Sequence, residues 1–173
     1  TMKEVLDTEL QLFLRSILPD EDAVQTELRE YADAHHISVV DPEVGYLLHV
    51  LTGLVKPQNV LEIGTAIGCS GIYIAKAMNG GKLTTIELTE ERHNMALEYF
   101  RRAGVADNIQ AICGDAREIV PQLTEQYDMI FMDAAKGQYQ AFLPHCLRLL
   151  RVGGLLIVDD VLQGGTIAQT RFS

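Results

Sequence analysis

The chain has 173 residues, of which 47% are hydrophobic, and its formal net charge is −10. This length favours a single domain with one substantial core, and the hydrophobic content excludes a disordered chain. The negative charge argues against a broad phosphate-binding surface, which needs lysine and arginine. No apolar run approaches the ~20 residues of a membrane span, so we expect no membrane partner. The three cysteines lie far apart, which predicts reduced thiols and a cytoplasmic protein.

The first third of the chain predicts three helices ahead of the first strand. Apolar residues at helical spacing run from residue 2 to 18. Asp20 is expected to cap a second helix that ends near residue 35, and Asp41 to cap a third that stops before Pro57. We expect these helices, residues 1–57, to flank a sheet formed by residues 58–173, so that residues 1–173 make a single domain.

From residue 59 onward, short apolar runs alternate with helical patterns. The runs predict strands over residues 60–63, 82–87, 109–113, 127–132 and 155–158. Helices are predicted between them, over about 69–78, 89–103, 115–123 and 139–150. This alternation indicates a Rossmann-like, doubly wound α/β fold with a mainly parallel sheet. The fifth strand would leave a bare apolar edge, so we expect that the natural protein has further C-terminal strands that are missing here.

The stretch NVLEIGTAIGCS, from Asn59 to Ser70, predicts a strand, a glycine turn and a helix. This is the nucleotide-binding opening of a doubly wound fold. Its spacing is not the G-x-G-x-x-G of a dinucleotide site, and Glu62 places negative charge where a pyrophosphate needs none. An adenosine ligand with a positive group, such as S-adenosylmethionine, suits Glu62 and Gly64 better than NAD does.

Acidic residues follow the predicted strands at the edge where open α/β sheets bind their ligands. Glu87 ends the second strand, at an offset from the glycine turn where a carboxylate accepts hydrogen bonds from ribose hydroxyls. Asp115 and Ala116 follow the third strand. They are placed to recognise an adenine amino group, with a plain helix cap as the alternative.

Asp133, Asp159 and Asp160 end the fourth and fifth strands. If those strands are neighbours, their ends lie about 5 Å apart, and three carboxylates that close repel one another unless a cation neutralises them. Oxygen ligands suit Mg²⁺ or Mn²⁺. Lys136 comes three residues after Asp133 and is a candidate base. The alternatives are two turn aspartates and a solvated surface lysine.

Two motifs together resemble those of the cation-dependent O-methyltransferases that include the catechol and caffeoyl-CoA enzymes. They are VLEIGTAIGCSG and YDMIFMDAAKGQY, and the resemblance spans about residues 20–165. The stretches AHHISVVDPEVGYLLHVL and DAAKGQYQ resemble more closely a bacterial branch that methylates 5-hydroxyuridine in tRNA.

This resemblance implies roles for particular residues. The residues implied to contact S-adenosylmethionine or to shape its pocket are Val40, Glu62, Gly64, Ser70, Glu87, Asp115, Ala116 and Asp133. Asp133, Asp159 and Asp160 would bind the metal, although the family often has asparagine at the third position. Lys136 and Asp133 would be catalytic, with Lys136 helping to deprotonate the acceptor hydroxyl.

The resemblance also implies an acceptor and an assembly. The acceptor would be 5-hydroxyuridine in tRNA, with a small catechol-like phenol as the first alternative. An NAD-dependent oxidoreductase or an inactive nucleotide-binding module is the alternative of a different class. A homodimer is expected.

Overall fold

The computed structural model describes residues 8–134 and 136–161, with the backbone alone at Lys136. The helices are α1 (Thr8–Ser16), α2 (Ala23–Ala34), α3 (Pro42–Val55), α4 (Cys69–Ala77), α5 (Glu90–Arg102), α6 (Ala116–Ile119) and α7 (Tyr139–Leu149). The strands are β1 (Asn59–Ile63), β2 (Lys82–Glu87), β3 (Ile109–Cys113), β4 (Tyr127–Met132) and β5 (Leu150–Val158). Within these ranges they form one parallel sheet in the order β3-β2-β1-β4-β5, which confirms the predicted Rossmann-like α/β fold.

Both faces of the sheet are covered by helices. Consecutive residues of a strand point to opposite faces, so Val60 joins the core under α2 to α5 while Leu61 joins the core under α6 and α7. In β4, Phe131 and Met132 divide between the two cores in the same way. Because both faces are covered, β1, β2 and β4 are buried along nearly their whole length and are mainly apolar, as parallel strands are.

The fifth strand begins earlier than predicted. It starts at Leu150, and the pair Gly153-Gly154 lies inside the strand and is not a turn before it. The pairing shifts between Tyr127 and Met129 of β4, which marks a bulge. Glycine accommodates this because Gly153 has a φ of 82°, a conformation that suits a bulge.

Two helix caps differ from the prediction. Asp22, and not Asp20, caps α2, since its carboxylate accepts the backbone N–H groups two and three residues later. Asp41 stands at the N-cap position of α3 but makes no cap hydrogen bond. Its carboxylate instead lies 2.7 Å from the guanidinium of Arg15 on α1, which competes for the same oxygens.

In the described ranges β5 is the last strand on its side of the sheet. Leu156 and Val158 of β5 are half-buried, whereas the β4 residues beside them, Ile130 and Met132, are fully buried. The predicted further strands lie outside the described residues, as do residues 162–173. No helix of the described part is long and apolar enough to cross a membrane.

Candidate active site

A cleft of about 420 Å³ opens at the carboxyl ends of the strands. Segments that follow all five strands contribute to its lining. Of the residues predicted from the sequence, it is lined by Gly64, Glu87, Asp115, Ala116, Asp133 and Asp160. The parallel sheet thus brings together side chains that are far apart in sequence, at the edge where such folds bind ligands.

Beneath the cleft, Glu62 is fully buried at the end of β1. Its carboxylate accepts hydrogen bonds from Ser70 Oγ at 2.6 Å and from Thr85 Oγ1 at 2.5 Å. Because the Thr85 hydroxyl donates to Glu62, the Thr65 hydroxyl, 2.5 Å away, donates to Thr85. Burial raises the pKa of Glu62 to about 7, although both hydrogen bonds oppose the rise. We call these four side chains the Glu62 network; it ties β1, β2, the glycine loop and α4 together.

Glu87 joins the two loops on the cofactor side of the cleft. One carboxylate oxygen accepts the backbone N–H of Ala66 in the glycine loop at 2.9 Å, and the other accepts that of Thr89 at 2.9 Å. The backbone oxygen of Glu87 accepts the N–H of Gly114, which follows β3, at 2.8 Å. A carboxylate has about four lone-pair sites, so each oxygen keeps room for one further donor from the cleft.

The glycine loop also touches the end of β4. Gly64 has a φ of 104°, and a Cβ at this position would lie 2.2 Å from the backbone oxygen of Asp133. The Asp133 N–H in turn donates to the Ile63 backbone oxygen at 2.9 Å. This close approach explains why the loop needs glycine here.

On the adenine side of the predicted pocket, Asp115 caps the short helix α6. It accepts the Arg117 backbone N–H at 2.8 Å, and the Arg117 guanidinium binds the same carboxylate. The hydrogen bonds from Arg117 lower the pKa of Asp115. The cap alternative is therefore correct, and Asp115 lines the cleft at the same time.

The ends of β4 and β5 gather negative charge. The predicted adjacency of these strands is confirmed, since Asp159 N–H donates to the Met132 backbone oxygen at 3.1 Å. Asp160 follows with a φ of 56°, and its N–H binds the Asp159 carboxylate at 2.7 Å. Nearby, burial raises the pKa of Tyr139 to about 12, with further contributions from the carboxylates of Asp133, Asp160 and Asp159. The Tyr139 hydroxyl is buried and has no hydrogen-bond partner among the described residues. We call Tyr139 and the three aspartates the aspartate cluster.

Metal binding by the aspartate cluster stays a prediction. Within residues 8–134 and 136–161, no three histidine, cysteine or carboxylate side chains are close enough together to hold a metal ion as they stand. The donors nevertheless have suitable chemistry, since all three side chains offer carboxylate oxygens.

Two other predicted residues do not line the cleft, and the side chain of a third is not described. Ser70 is buried and directs its hydroxyl to Glu62, below the cleft surface. Val40 is buried in the segment between α2 and α3, where its backbone oxygen accepts a hydrogen bond from Arg29. Lys136 lies in a short 3₁₀ helix between β4 and α7, and its side chain is outside the described part of the structure. Their predicted roles remain predictions.

The cleft also contains residues that sequence reasoning missed. Ser38, Ala66, Leu88, Thr89, Arg92, Arg117, Ala134 and Gln138 line it as well. Several of them directly follow a strand end, as Leu88 and Thr89 follow β2. That position is a signal that could have identified them. Ser38 carries no such signal, because it reaches the cleft from the segment that connects two flanking helices.

Comparison with known proteins agrees with this geometry. The sequence model of a protein family, described as O-methyltransferase, matches residues 16–171 of this chain. A catechol O-methyltransferase of Niastella koreensis is 34% identical over 154 residues, covering 86% of this chain and 70% of the relative. A caffeoyl-CoA O-methyltransferase of Stellaria longipes is 32% identical over 162 residues, covering 88% of this chain and 67% of the relative.

A solved structure gives the same result. The O-methyltransferase TomG of Streptomyces achromogenes, solved in complex with SAM, superposes with a TM-score of 0.88 at 30% identity. The match covers 99% of this chain and 80% of TomG. Fold and cleft together define a Rossmann-like methyltransferase. The chain belongs to the O-methyltransferase family, which confirms the resemblance found in the sequence; its narrower likeness to the tRNA-modifying branch stays a prediction.

Proposed function

We propose that this chain transfers a methyl group from S-adenosylmethionine to a hydroxyl of an aromatic acceptor. The observation that carries the proposal is the cleft at the strand ends, which has the buried Glu62 network beneath one side and the aspartate cluster at the other. The structure of TomG was solved with SAM, and it matches 99% of the present chain. This similarity supports the choice of cofactor.

On the cofactor side, the chain supplies shape and charge. S-adenosylmethionine, when bound, provides the methyl group as a sulfonium and also carries an ammonium group. Gly64 permits a close backbone approach, and the free lone pairs of Glu87 would accept the ribose hydroxyls. Asp115 and Ala116 would border the adenine. Glu62 would contribute negative charge from below, with Ser70 holding its carboxylate and Val40 closing the far wall.

On the acceptor side, we propose that Asp133, Asp159 and Asp160 hold Mg²⁺ or Mn²⁺. The three side chains supply only carboxylate oxygens, the ligands that a hard divalent cation prefers, and they follow two neighbouring strands. A divalent cation, when bound, lowers the pKa of a coordinated hydroxyl. Lys136 would take the proton from the acceptor hydroxyl, and Asp133 would orient that oxygen.

The acceptor we favour is a small catechol-like phenol. Relatives named for catechol and for caffeoyl-CoA match most of this chain, and the net charge of −10 opposes binding of a polyanion. The second candidate is 5-hydroxyuridine in tRNA. This candidate is favoured by two stretches that resemble the tRNA-modifying branch, AHHISVVDPEVGYLLHVL and DAAKGQYQ.

Calorimetry followed by a methyl-transfer assay tests the proposal. We expect S-adenosylhomocysteine to bind and NAD not to bind, and we expect Mg²⁺-dependent methylation of catechol that EDTA abolishes. Binding of NAD without S-adenosylhomocysteine would instead indicate an oxidoreductase. Ligand binding without transfer to catechol or to hydroxyuridine-containing tRNA would indicate an inactive module, and methylation of tRNA alone would favour the second acceptor.

We further propose that the protein is a cytoplasmic homodimer with a single catalytic domain. Large apolar side chains are exposed on two N-terminal helices, among them Leu12 and Phe13 of α1 and Leu47 and Leu54 of α3. A second copy of the chain would cover them. Light scattering during size-exclusion chromatography tests this, and a monomer at assay concentration would contradict it.

A further inference from the structure

Arg29 of α2 connects chain segments that are distant in sequence. Its guanidinium binds the Glu21 carboxylate through Nη2–Oε1 at 2.7 Å and Nε–Oε2 at 3.1 Å. Nη1 donates to the backbone oxygen of Val40 at 2.8 Å, and Nη2 lies 3.7 Å from Cys69 Sγ at the start of α4. One side chain therefore joins α2, the segment between α2 and α3, and the helix that follows the glycine loop.

The partner carboxylate is itself held in place. Glu21 also accepts a hydrogen bond from the hydroxyl of Tyr73 on α4. Burial lowers the pKa of Arg29, but its hydrogen bonds to Glu21 outweigh that effect and raise the pKa above its usual value. Arg29 thus stays charged, and its fork of donors suits three acceptors at fixed angles.

The segment that Arg29 holds borders the cleft. Ser38 lines the cleft two residues before Val40. Val40 itself is only 5% exposed, and its backbone oxygen accepts the Arg29 hydrogen bond. Cys69, the other contact of Arg29, directly follows Gly68 of the glycine loop and is also buried. Arg29 therefore links the segment of Ser38 to the start of α4, beside the weaker direct hydrogen bond that Cys69 Sγ donates to the Val40 backbone oxygen at 4.0 Å.

We propose that Arg29 is a positioning residue for the cofactor, which fixes the backbone of residues 38–40 against the start of α4. It does so without lining the cleft itself. The cofactor part rests on the proposed function, since it assumes that the cleft binds S-adenosylmethionine. The positioning part concerns the protein alone and is tested without ligand.

The chain offers a matched control. Arg102 of α5 makes an equally bidentate pair with Glu27 of α2, with Nη1–Oε1 at 2.8 Å and Nη2–Oε2 at 2.5 Å. Arg102 does not line the cleft. Arg29→Gln and Arg102→Gln each remove one charge and one α2 ion pair, but only the first removes the guanidinium hydrogen bond to the Val40 carbonyl, which keeps the weak one from Cys69 Sγ. Arg29→Lys keeps the charge and cannot span all three contacts.

The first measurement is hydrogen–deuterium exchange of the ligand-free protein over residues 36–42. We expect faster exchange there in Arg29→Gln than in Arg102→Gln. The second is binding of S-adenosylhomocysteine together with steady-state kinetics. We expect roughly tenfold weaker binding and a raised KM for S-adenosylmethionine in Arg29→Gln, with kcat nearly unchanged, because a charge-assisted hydrogen bond is lost away from the reacting atoms. Arg29→Lys should lie between, and Arg102→Gln within twofold of wild type.

Arg29→Gln leaves Glu21 half-buried without its main partner. If that variant does not fold, Glu21→Gln/Arg29→Gln removes the stranded charge and is measured in its place. Unchanged exchange over residues 36–42 overturns the positioning role in either variant. Changed exchange with unchanged affinity overturns the cofactor role. Failure of the wild type to bind S-adenosylhomocysteine refutes the proposed function, while the exchange experiment still decides whether Arg29 positions the segment.

Discussion

The Glu62 network and the aspartate cluster stand at two sides of one cleft and are built in opposite ways. In the network, two buried hydroxyls, those of Ser70 and Thr85, donate to one buried carboxylate, and the Thr65 hydroxyl supports Thr85. In the cluster, three carboxylates from two neighbouring strand ends contribute to the raised pKa of one buried hydroxyl, that of Tyr139, which has no hydrogen-bond partner among the described residues. The network holds one buried acid by hydrogen bonds, whereas the cluster gathers three acids near one buried hydroxyl that none of them binds.

The difference indicates how each side meets its ligand. A buried polar group that is fully hydrogen-bonded is rigid, so the cofactor side has its shape before anything binds. On the proposed function, a divalent cation bound by the carboxylates of the aspartate cluster completes the acceptor side from outside the chain. We therefore expect substitutions in the network to alter stability and binding, and substitutions in the cluster to alter turnover.

The largest expected effect comes from Asp133→Asn in the aspartate cluster. Turnover should fall by about 100-fold or more, since charge stabilisation through a bound metal is worth several kcal/mol. The melting temperature should change little, because asparagine keeps the shape of the side chain and the backbone hydrogen bond from residue 133 to Ile63 remains. Methyl-transfer kinetics and calorimetry measure the two effects. Asp107→Asn, on the exposed turn before β3, is the control for loss of an aspartate charge. If turnover of Asp133→Asn stayed within threefold of wild type, the expected role of the aspartate cluster in turnover would be wrong.

Gly64→Ala tests the point where the two sides touch. The added Cβ would meet the Asp133 backbone oxygen, at a φ that L-residues avoid. We expect a loss of about 2 kcal/mol or more in the free energy of unfolding, measured by chemical denaturation. Gly53→Ala is the matched control, because Gly53 lies in α3 with nothing within 4 Å of the added Cβ. It should stabilise the helix by about 0.5–1 kcal/mol. If both substitutions changed the free energy of unfolding equally, the glycine loop would have to move to accommodate a Cβ at residue 64, which would contradict the prediction.

The sequence predicted the cluster better than the network, for a physical reason. Parallel strands end at a common edge, so an acid after each buried run can be placed without knowing the fold in detail. Thr65 and Thr85 act through their direction in a packed interior, and no periodicity or spacing encodes that. The bounds of β2, β3 and β4 were correct because buried runs end at turn residues. The start of β5 was wrong because glycines in a bulge resemble glycines in a turn.

The pH dependence of the Glu62 network is the next largest effect. Burial raises the pKa of Glu62 to about 7 from its ordinary value of 4.5. Between these values the folded state keeps a proton that the unfolded state has lost, so stability falls as pH rises. The group's contribution is complete below pH 4.5 and lost above about pH 7, a change of about 3 kcal/mol. Chemical denaturation of wild type and Glu62→Gln at pH 5 and at pH 8 tests this. The difference in unfolding free energy between the two proteins should change by this amount from one pH to the other.

The same titration predicts how ligand binding varies with pH. A positively charged cofactor favours the ionised form of Glu62, so the affinity for S-adenosylmethionine should rise from pH 6 to pH 8 in wild type. Glu62→Gln should remove that rise. A pH dependence that survives the substitution would place the responsible group elsewhere in the cleft.

The smallest effects separate the two sides most directly, because each comes from deleting one buried hydroxyl. Thr85→Val removes a donor to Glu62 and an acceptor for Thr65, so unfolding should become easier by about 1–3 kcal/mol. Tyr139→Phe removes a hydroxyl that has no partner among the described residues, so the change should stay within about 0.5 kcal/mol. Chemical denaturation of both variants without metal measures the contrast. A large loss of unfolding free energy in Tyr139→Phe together with a small loss in Thr85→Val would contradict the comparison. It would mean that the chain itself stabilises the acceptor side, whereas the cofactor side depends on its ligand.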